Sequence, residues 1–155
     1  MTGHDIEVLL AEDDAADAEL ILASLGDDSL ADRVHVARDG EEALDFLFCR
    51  ALYASRAGLA LPRLVLLDIK LPKVTGLEVL REIKREPRTR TIPVVMLTSS
   101  NIGRDVQLGY DLGANSYIQK PVNFAEFRET VRLVSAYWLT VNVIGARRPF
   151  RHEDV

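Results

Sequence analysis

The chain has 155 residues, 48% hydrophobic and 28% charged, with a formal net charge of −5 and a pI of about 5.2. That length fits one domain, the balance excludes general disorder, and the acidic surplus argues against binding a nucleic-acid backbone, which draws on clustered Lys and Arg. One cysteine, Cys49, allows no intrachain disulfide and suits a reducing compartment. MTGHDIE carries no secretory pattern and no apolar run reaches membrane-spanning length, so the expectation is a cytoplasmic protein without membrane or nucleic-acid partners.

In chain order, IEVLLA (6–11) reads as a buried strand. Asp14 is placed to cap the next helix, with Ala18, Leu22 and Leu25 at helical spacing and Gly26 as its stop. RVHVA (33–37) alternates like a strand. A helix follows Gly40 with Ala43, Leu44, Leu47, Phe48, Ala51 and Leu52 on one stripe, and SRAGLALPR (55–63) is a loop. LVLLD (64–68) is continuously apolar, as a strand covered on both faces would be. Thr75 and Glu78 form a capping box ahead of Leu77, Leu80 and Ile83, and Pro87 ends that helix. IPVVML (92–97) is the fourth strand, Asn101 caps a helix ending near Gly113, and NSYIQK (115–120) is the fifth strand. Asn123 and Glu126 open a last helix carrying Phe124, Phe127, Val131, Val134 and Trp138, with the first three expected to face the core.

Five strands alternating with five helices predict an α/β fold around a mostly parallel sheet. Ligands of such sheets bind at the carboxyl ends of the strands. Four runs end there in polar groups: Glu12–Asp13–Asp14, Asp68, Thr98 with its serines, and Lys120. Carboxylates held together repel unless a cation intervenes, and Glu12, Asp13 and Asp68 offer oxygens suited to Mg²⁺. A phosphoryl group placed on Asp68 would need that ion and a cation such as Lys120, while Thr98 could hydrogen-bond a phosphoryl oxygen. Lys120 precedes Pro121, and a cis bond between them would fix the lysine in a tight turn.

The ordered set of acid pair, Asp, Thr and Lys-Pro on successive strands resembles the response-regulator receiver domain of two-component signalling. The resemblance covers roughly residues 5–140; the receiver domain is expected over 5–142, leaving 143–155 as a tail or arm. It implies a doubly wound, flavodoxin-like sheet of order 2-1-3-4-5 with Asp68 as phosphoacceptor. It also implies Asp13 as direct Mg²⁺ ligand, Glu12 acting through water, and the backbone carbonyl of Lys70 as a further ligand. Thr98 and Lys120 would stabilise the phosphoryl group, and Thr98 and Tyr117 would form the switch. DGEEALDFLFCRALYAS (39–55), GYDLGANSYIQKPVNFAEF (109–127) and AYWLTVN (136–142) further resemble the stand-alone receivers that serve phytochrome histidine kinases. Many of those have Asp where this chain has Thr75, a change of helix cap outside the chemistry.

The resulting expectation is a single-domain regulator that takes its phosphoryl group from a sensor histidine kinase. It would catalyse its own Mg²⁺-dependent phosphorylation and dephosphorylation without turning over an outside substrate. Output would pass to a downstream protein or phosphotransfer protein, because the tail is too short for an effector domain. Tyr137 and Trp138, at the end of the last helix, are candidates for a homodimer interface. An aspartate-nucleophile phosphatase is the alternative enzyme, but Asp68 is followed by Ile69 and Lys70 instead of the D-x-D that chemistry uses.

Overall fold

The runs VLLA, LVLLD and VVMLT have no polar face, so strands built from them must be covered on both sides. The computed structural model, which describes residues 5–25, 28–99, 103–120, 123–143 and 145, places them at the centre of a sheet. Among the described residues the strands are β1 (Val8–Ala11), β2 (Val34–Ala37), β3 (Leu64–Asp68), β4 (Val94–Thr98) and β5 (Ser116–Gln119). All pairs are parallel and the order is β2-β1-β3-β4-β5. The helices are α1 (Ala15–Ser24), a single turn α2 (Asp28–Ala31), α3 (Gly40–Leu47), α4 (Gly76–Arg85), α5 (Gly103–Asp111) and α6 (Phe124–Ala136).

Side chains alternate across the sheet and build two cores. Leu9, Ala11, Val65, Leu67, Val94 and Met96 pack with residues of α3 and α4. Val8, Leu10, Leu64, Leu66, Val95 and Leu97 pack with Ala18 and Ile21 of α1 and Phe127 and Val131 of α6. The caps fall as the sequence indicates. Asp14 accepts from the Asp17 N–H, Thr75 from that of Glu78, and Asn123 from those of Ala125 and Glu126. The expected Gly113 stop is a Schellman turn, with Gly113 at φ 105 and bonds from Gly113 to Tyr110 O and from Ala114 to Gly109 O.

Three expectations need correction. The third helix ends at Leu47 instead of running to Leu52. Phe48–Arg50 form a second Schellman turn, with bonds from Cys49 to Phe46 O and from Arg50 to Asp45 O, and Cys49 occupies the left-handed position at φ 53. A 3-10 helix, Ala51–Arg56, follows, and Leu52 is 92% exposed. Aromatic contacts hold this segment on α3. The Tyr53 hydroxyl donates to Glu42, and the Phe46 ring stacks on His35 and meets the Arg56 guanidinium 3.9 Å from its centroid. Second, Phe124 is 62% exposed: it shares a side of α6 with Phe127 and Val131, but as the first residue of the helix it stands a turn before them. Third, the last helix widens at Tyr137–Val141 into a π-helix, closed by Asn142 N–H on Tyr137 O, with Arg63 donating to Leu139 O at 2.9 Å.

The Gly26 stop, the Asn101 cap, Pro121 and most of the 143–155 tail lie outside the described residues. The described Val143 is 92% exposed. Among the described residues, no helix is long and apolar enough to cross a membrane.

Candidate functional site

Strand register assembles the site. Ala11 pairs with Leu67, and Asp68 with Leu97, so Glu12 and Asp68 leave the sheet side by side. Both continue the rows Val8–Leu10 and Leu64–Leu66, which face α1 and α6. Thr98 is paired with Gln119, and the Lys120 N–H donates to Thr98 O at 2.7 Å, which sets Lys120 just beyond β5.

The Lys120 ammonium uses its three donors on three acids. Nζ lies 2.7 Å from Glu12 Oε2, 2.9 Å from Asp68 Oδ2 and 3.1 Å from Asp17 Oδ2. Glu12 and Asp68 are buried, whereas Asp13 beside them is exposed. Burial pushes the Glu12 carboxyl up to about 7; the Lys120 hydrogen bond opposes this and the Asp68 charge adds to it. For Lys120 itself burial works downward, but hydrogen bonds to Glu12 and Asp68 outweigh it and hold the ammonium above its ordinary range. Glu12 Oε1 accepts from the Asp14 N–H at 3.1 Å, so both its oxygens are engaged.

Carboxylate oxygens of Glu12, Asp13 and Asp68 all lie within 4.8 Å of one another, a cluster that could hold a metal ion. An all-oxygen donor set of this charge suits a hard divalent cation. The Lys70 N–H turns back to Asp68 Oδ1 at 2.9 Å, so the chain curls around that carboxylate. Gly76 lets α4 start tight against it: a Cβ there would stand 2.0 Å from the Asp68 carbonyl oxygen.

Thr98 is fully buried. It continues the Val94–Met96 row on the other face, where Tyr117 packs against the α3–α4 core with its ring over Gly109. The Tyr117 and Thr98 hydroxyls are hydrogen-bonded, and burial with the nearby Asp105 charge raises the Tyr117 phenol. The structure therefore brings Glu12, Asp13, Asp68 and Lys120 together and links Thr98 to Tyr117. Tyr137 and Trp138 lie elsewhere, edge to face at 5.1 Å beyond α6, with Tyr137 49% exposed and Trp138 half-buried against the α1–α6 core. Sequence reading missed Asp17 as the third acid on Lys120. Its one signal was a carboxylate in the first turn of the helix capped by Asp14.

With that geometry in place, the comparisons are specific. Residues 8–132 match the response regulator receiver domain family. The chain is 43% identical over 135 residues to the probable methanogenesis regulatory protein FilR2 of Methanothrix harundinacea, covering 87% of this chain and 84% of that protein. It is 37% identical over 139 residues to response regulator Rcp1 of Synechocystis, covering 90% and 92%. The crystal structure of Rcp1 in its Mn²⁺-bound form superposes with a TM-score of 0.82 over 90% of this chain and 98% of that one. The phosphorylated cyanobacterial phytochrome response regulator RcpA gives a TM-score of 0.84 at 36% identity, over 92% of this chain and all of that one. These relatives lend no support to the phosphatase alternative.

Proposed function

Because the chain belongs to the response-regulator receiver family, we propose that Asp68 accepts a phosphoryl group from the phosphohistidine of a sensor kinase. An Asp68 carboxylate oxygen bonds to phosphorus, the phosphorus–nitrogen bond breaks, and its electron pair returns to the imidazole. The observation that carries this reading is Lys120 Nζ, 2.9 Å from Asp68 and shared with Glu12 and Asp17. A cation held by charge-assisted bonds to two buried acids and one at the surface is fixed in place before negative charge arrives. The chain's own residues thus carry out the transfer and the later hydrolysis, with no outside substrate turned over.

Glu12, Asp13, Asp68 and the backbone carbonyl of Lys70 would hold Mg²⁺. Bound there, the ion would neutralise charge on the phosphoryl oxygens. Thr98 presents its hydroxyl to a phosphoryl oxygen, and Tyr117, hydrogen-bonded to Thr98, follows. Residues 5–142 act as the receiver, in the cytoplasm. The likeness to RcpA, a phytochrome response regulator, makes a phytochrome-class kinase the partner to test first. Output passes to a protein target or phosphotransfer protein. A homodimer through α5, β5 and α6, with Tyr137 and Trp138 at its margin, presents that signal.

Acetyl phosphate with Mg²⁺, read by intact mass, tests the chemistry. Wild type gains one phosphoryl group, chelation of the metal abolishes the gain, and Asp68→Asn takes up none. Equal labelling of Asp68→Asn at an acid- and base-labile bond would show the assignment to be wrong. Transfer from a bacteriophytochrome kinase, set against an unrelated histidine kinase, tests the partner.

A further inference from the structure

The acidic site occupies the carboxyl ends of the strands. The amino ends of β4 and β5 carry a second polar junction, built on one lysine. Lys84, in the last turn of α4, turns inward and donates to Ile92 O at 2.8 Å, to Arg90 O at 3.0 Å and to Asn115 Oδ1 at 3.0 Å. All three ammonium hydrogens are used, and each goes to a segment other than α4. Asn115 extends the junction: its Oδ1 also accepts from the Val94 N–H at 2.9 Å, and its own N–H donates to Val94 O at 2.9 Å. The lysine stem lies against Gly113, where a Cβ would approach Lys84 Cγ to 3.0 Å, and Gly113 is the left-handed residue that ends α5. One side chain thus ties α4, the 90–92 loop, the start of β4 and the α5–β5 turn.

Thr98 closes β4 at its other end, and Tyr117 is the second residue of β5, two residues past Asn115. From Val94 to Thr98 is about 13 Å of strand. We propose that Lys84 is the fixed end of the switch: it pins the bases of β4 and β5 to α4, so that a change at Thr98 and Tyr117 swings α5 about the Gly113–Asn115 turn. The inference rests on the reading of Asp68 as phosphoacceptor for what starts the motion, but not for the pin itself. A packed element held at one end responds to a local shift by rotating about that end. Lys84 acts through Asn115 and Gly113, far from phosphorus, and is a positioning residue.

Residue-resolved hydrogen exchange by NMR on the full chain, with and without acetyl phosphate and Mg²⁺, tests this. In wild type the donor changes protection within 103–111 and leaves Val94 and 112–116 as they were. In Lys84→Met the Val94 and Asn115 amides exchange about tenfold faster before any donor is added, the mark of local opening. The donor's effect in that variant then spreads through 112–116. Asn115→Asp keeps an acceptor for both Lys84 and Val94 and behaves as wild type. Asn115→Leu matches Lys84→Met and serves in its place if that variant does not fold. The proposal is overturned if wild-type 112–116 responds to the donor as strongly as α5, or if neither Lys84→Met nor Asn115→Leu alters Val94 and Asn115. Intact mass on the same samples keeps the two readings apart. Loss of phosphoryl uptake strikes the Asp68 assignment, while the donor-free exchange still decides the pin.

Discussion

Lys120 holds together groups that would otherwise repel. Its side chain is 12% exposed, against 2% for that of Glu12 and 10% for that of Asp68. Removing one partner of a buried charged set leaves the rest uncompensated, at a cost of about 3 kcal/mol. Lys120→Met should therefore lower stability to urea by that order at neutral pH, and millimolar Mg²⁺ should restore part of it by resupplying positive charge. A variant as stable as wild type in chelator would contradict this. Lys84 differs because its partners are neutral oxygens. Burial lowers its ammonium from 10.5 to about 8. Across that interval the unfolded chain binds the proton more tightly, so the lysine's contribution to stability rises with pH. This proton-linked part is complete above 10.5 and lost as pH falls through 8. The difference in unfolding free energy between wild type and Lys84→Met should grow from pH 8 to 10.5, and a flat difference would count against this. Removing the lysine should itself cost about 1–3 kcal/mol, since the Arg90 and Ile92 carbonyls lose a donor.

Among the elements, the β3–α4 connection governs Asp68. At Gly76 a Cβ would stand 2.0 Å from the Asp68 carbonyl oxygen and 2.7 Å from Ile69 Cα, both backbone atoms that cannot swing aside. Gly76→Ala should destabilise by about 3 kcal/mol, at the upper end of ordinary single substitutions. The displaced loop should also slow phosphoryl uptake by whatever fraction remains folded. Normal uptake and stability would show that α4 can shift freely. Strand ends were the legible part of this chain, because a polar residue closing an apolar run is visible locally. Asp68 and Lys120 were found that way. Asp17 was not: its partner lies 103 residues away, and nothing beside it indicates which way it turns. The α3 boundary was misread for a related reason. Periodicity carries Ala51 and Leu52 onto the stripe, and no glycine marks the turn, since Cys49 takes the left-handed position itself. The π-helix after Ala136 was equally hidden: Trp138 and Leu139 pack on the α1–α6 core and Arg63 bonds the Leu139 carbonyl, contacts that no local signal announces.

For the molecule as a whole, the sheet order puts the acid-bearing strands β1 and β3 inside and leaves β5 at an edge. That edge and its flanking helices carry several of the exposed apolar side chains. Leu133 is 55% exposed, Tyr137 49%, Val141 67%, Tyr110 47% and Leu108 39%. Large apolar side chains left exposed on one part of a surface often mark a contact site. Sedimentation at micromolar concentration should show a dimer, weakened severalfold by Tyr137→Ala. Trp138→Ala is a poorer probe than its aromatic character implies, because Trp138 packs on the core and its loss also costs folding stability. A monomer at every concentration, phosphorylated or not, would remove the dimer and leave the receiver chemistry standing.

The turn that ends α3 also supplies a clock. Cys49 is the one thiol in 155 residues, and it lies 3% exposed, with burial raising it above the ordinary thiol range. A disulfide reagent can reach it only when the α3 end and the 3-10 helix part. Labelling then proceeds at a rate set by how often that junction opens. The native chain thus reports its own breathing on the side of the sheet opposite α1 and α6, with no engineered probe, and ligands that tighten the fold should lengthen the labelling time.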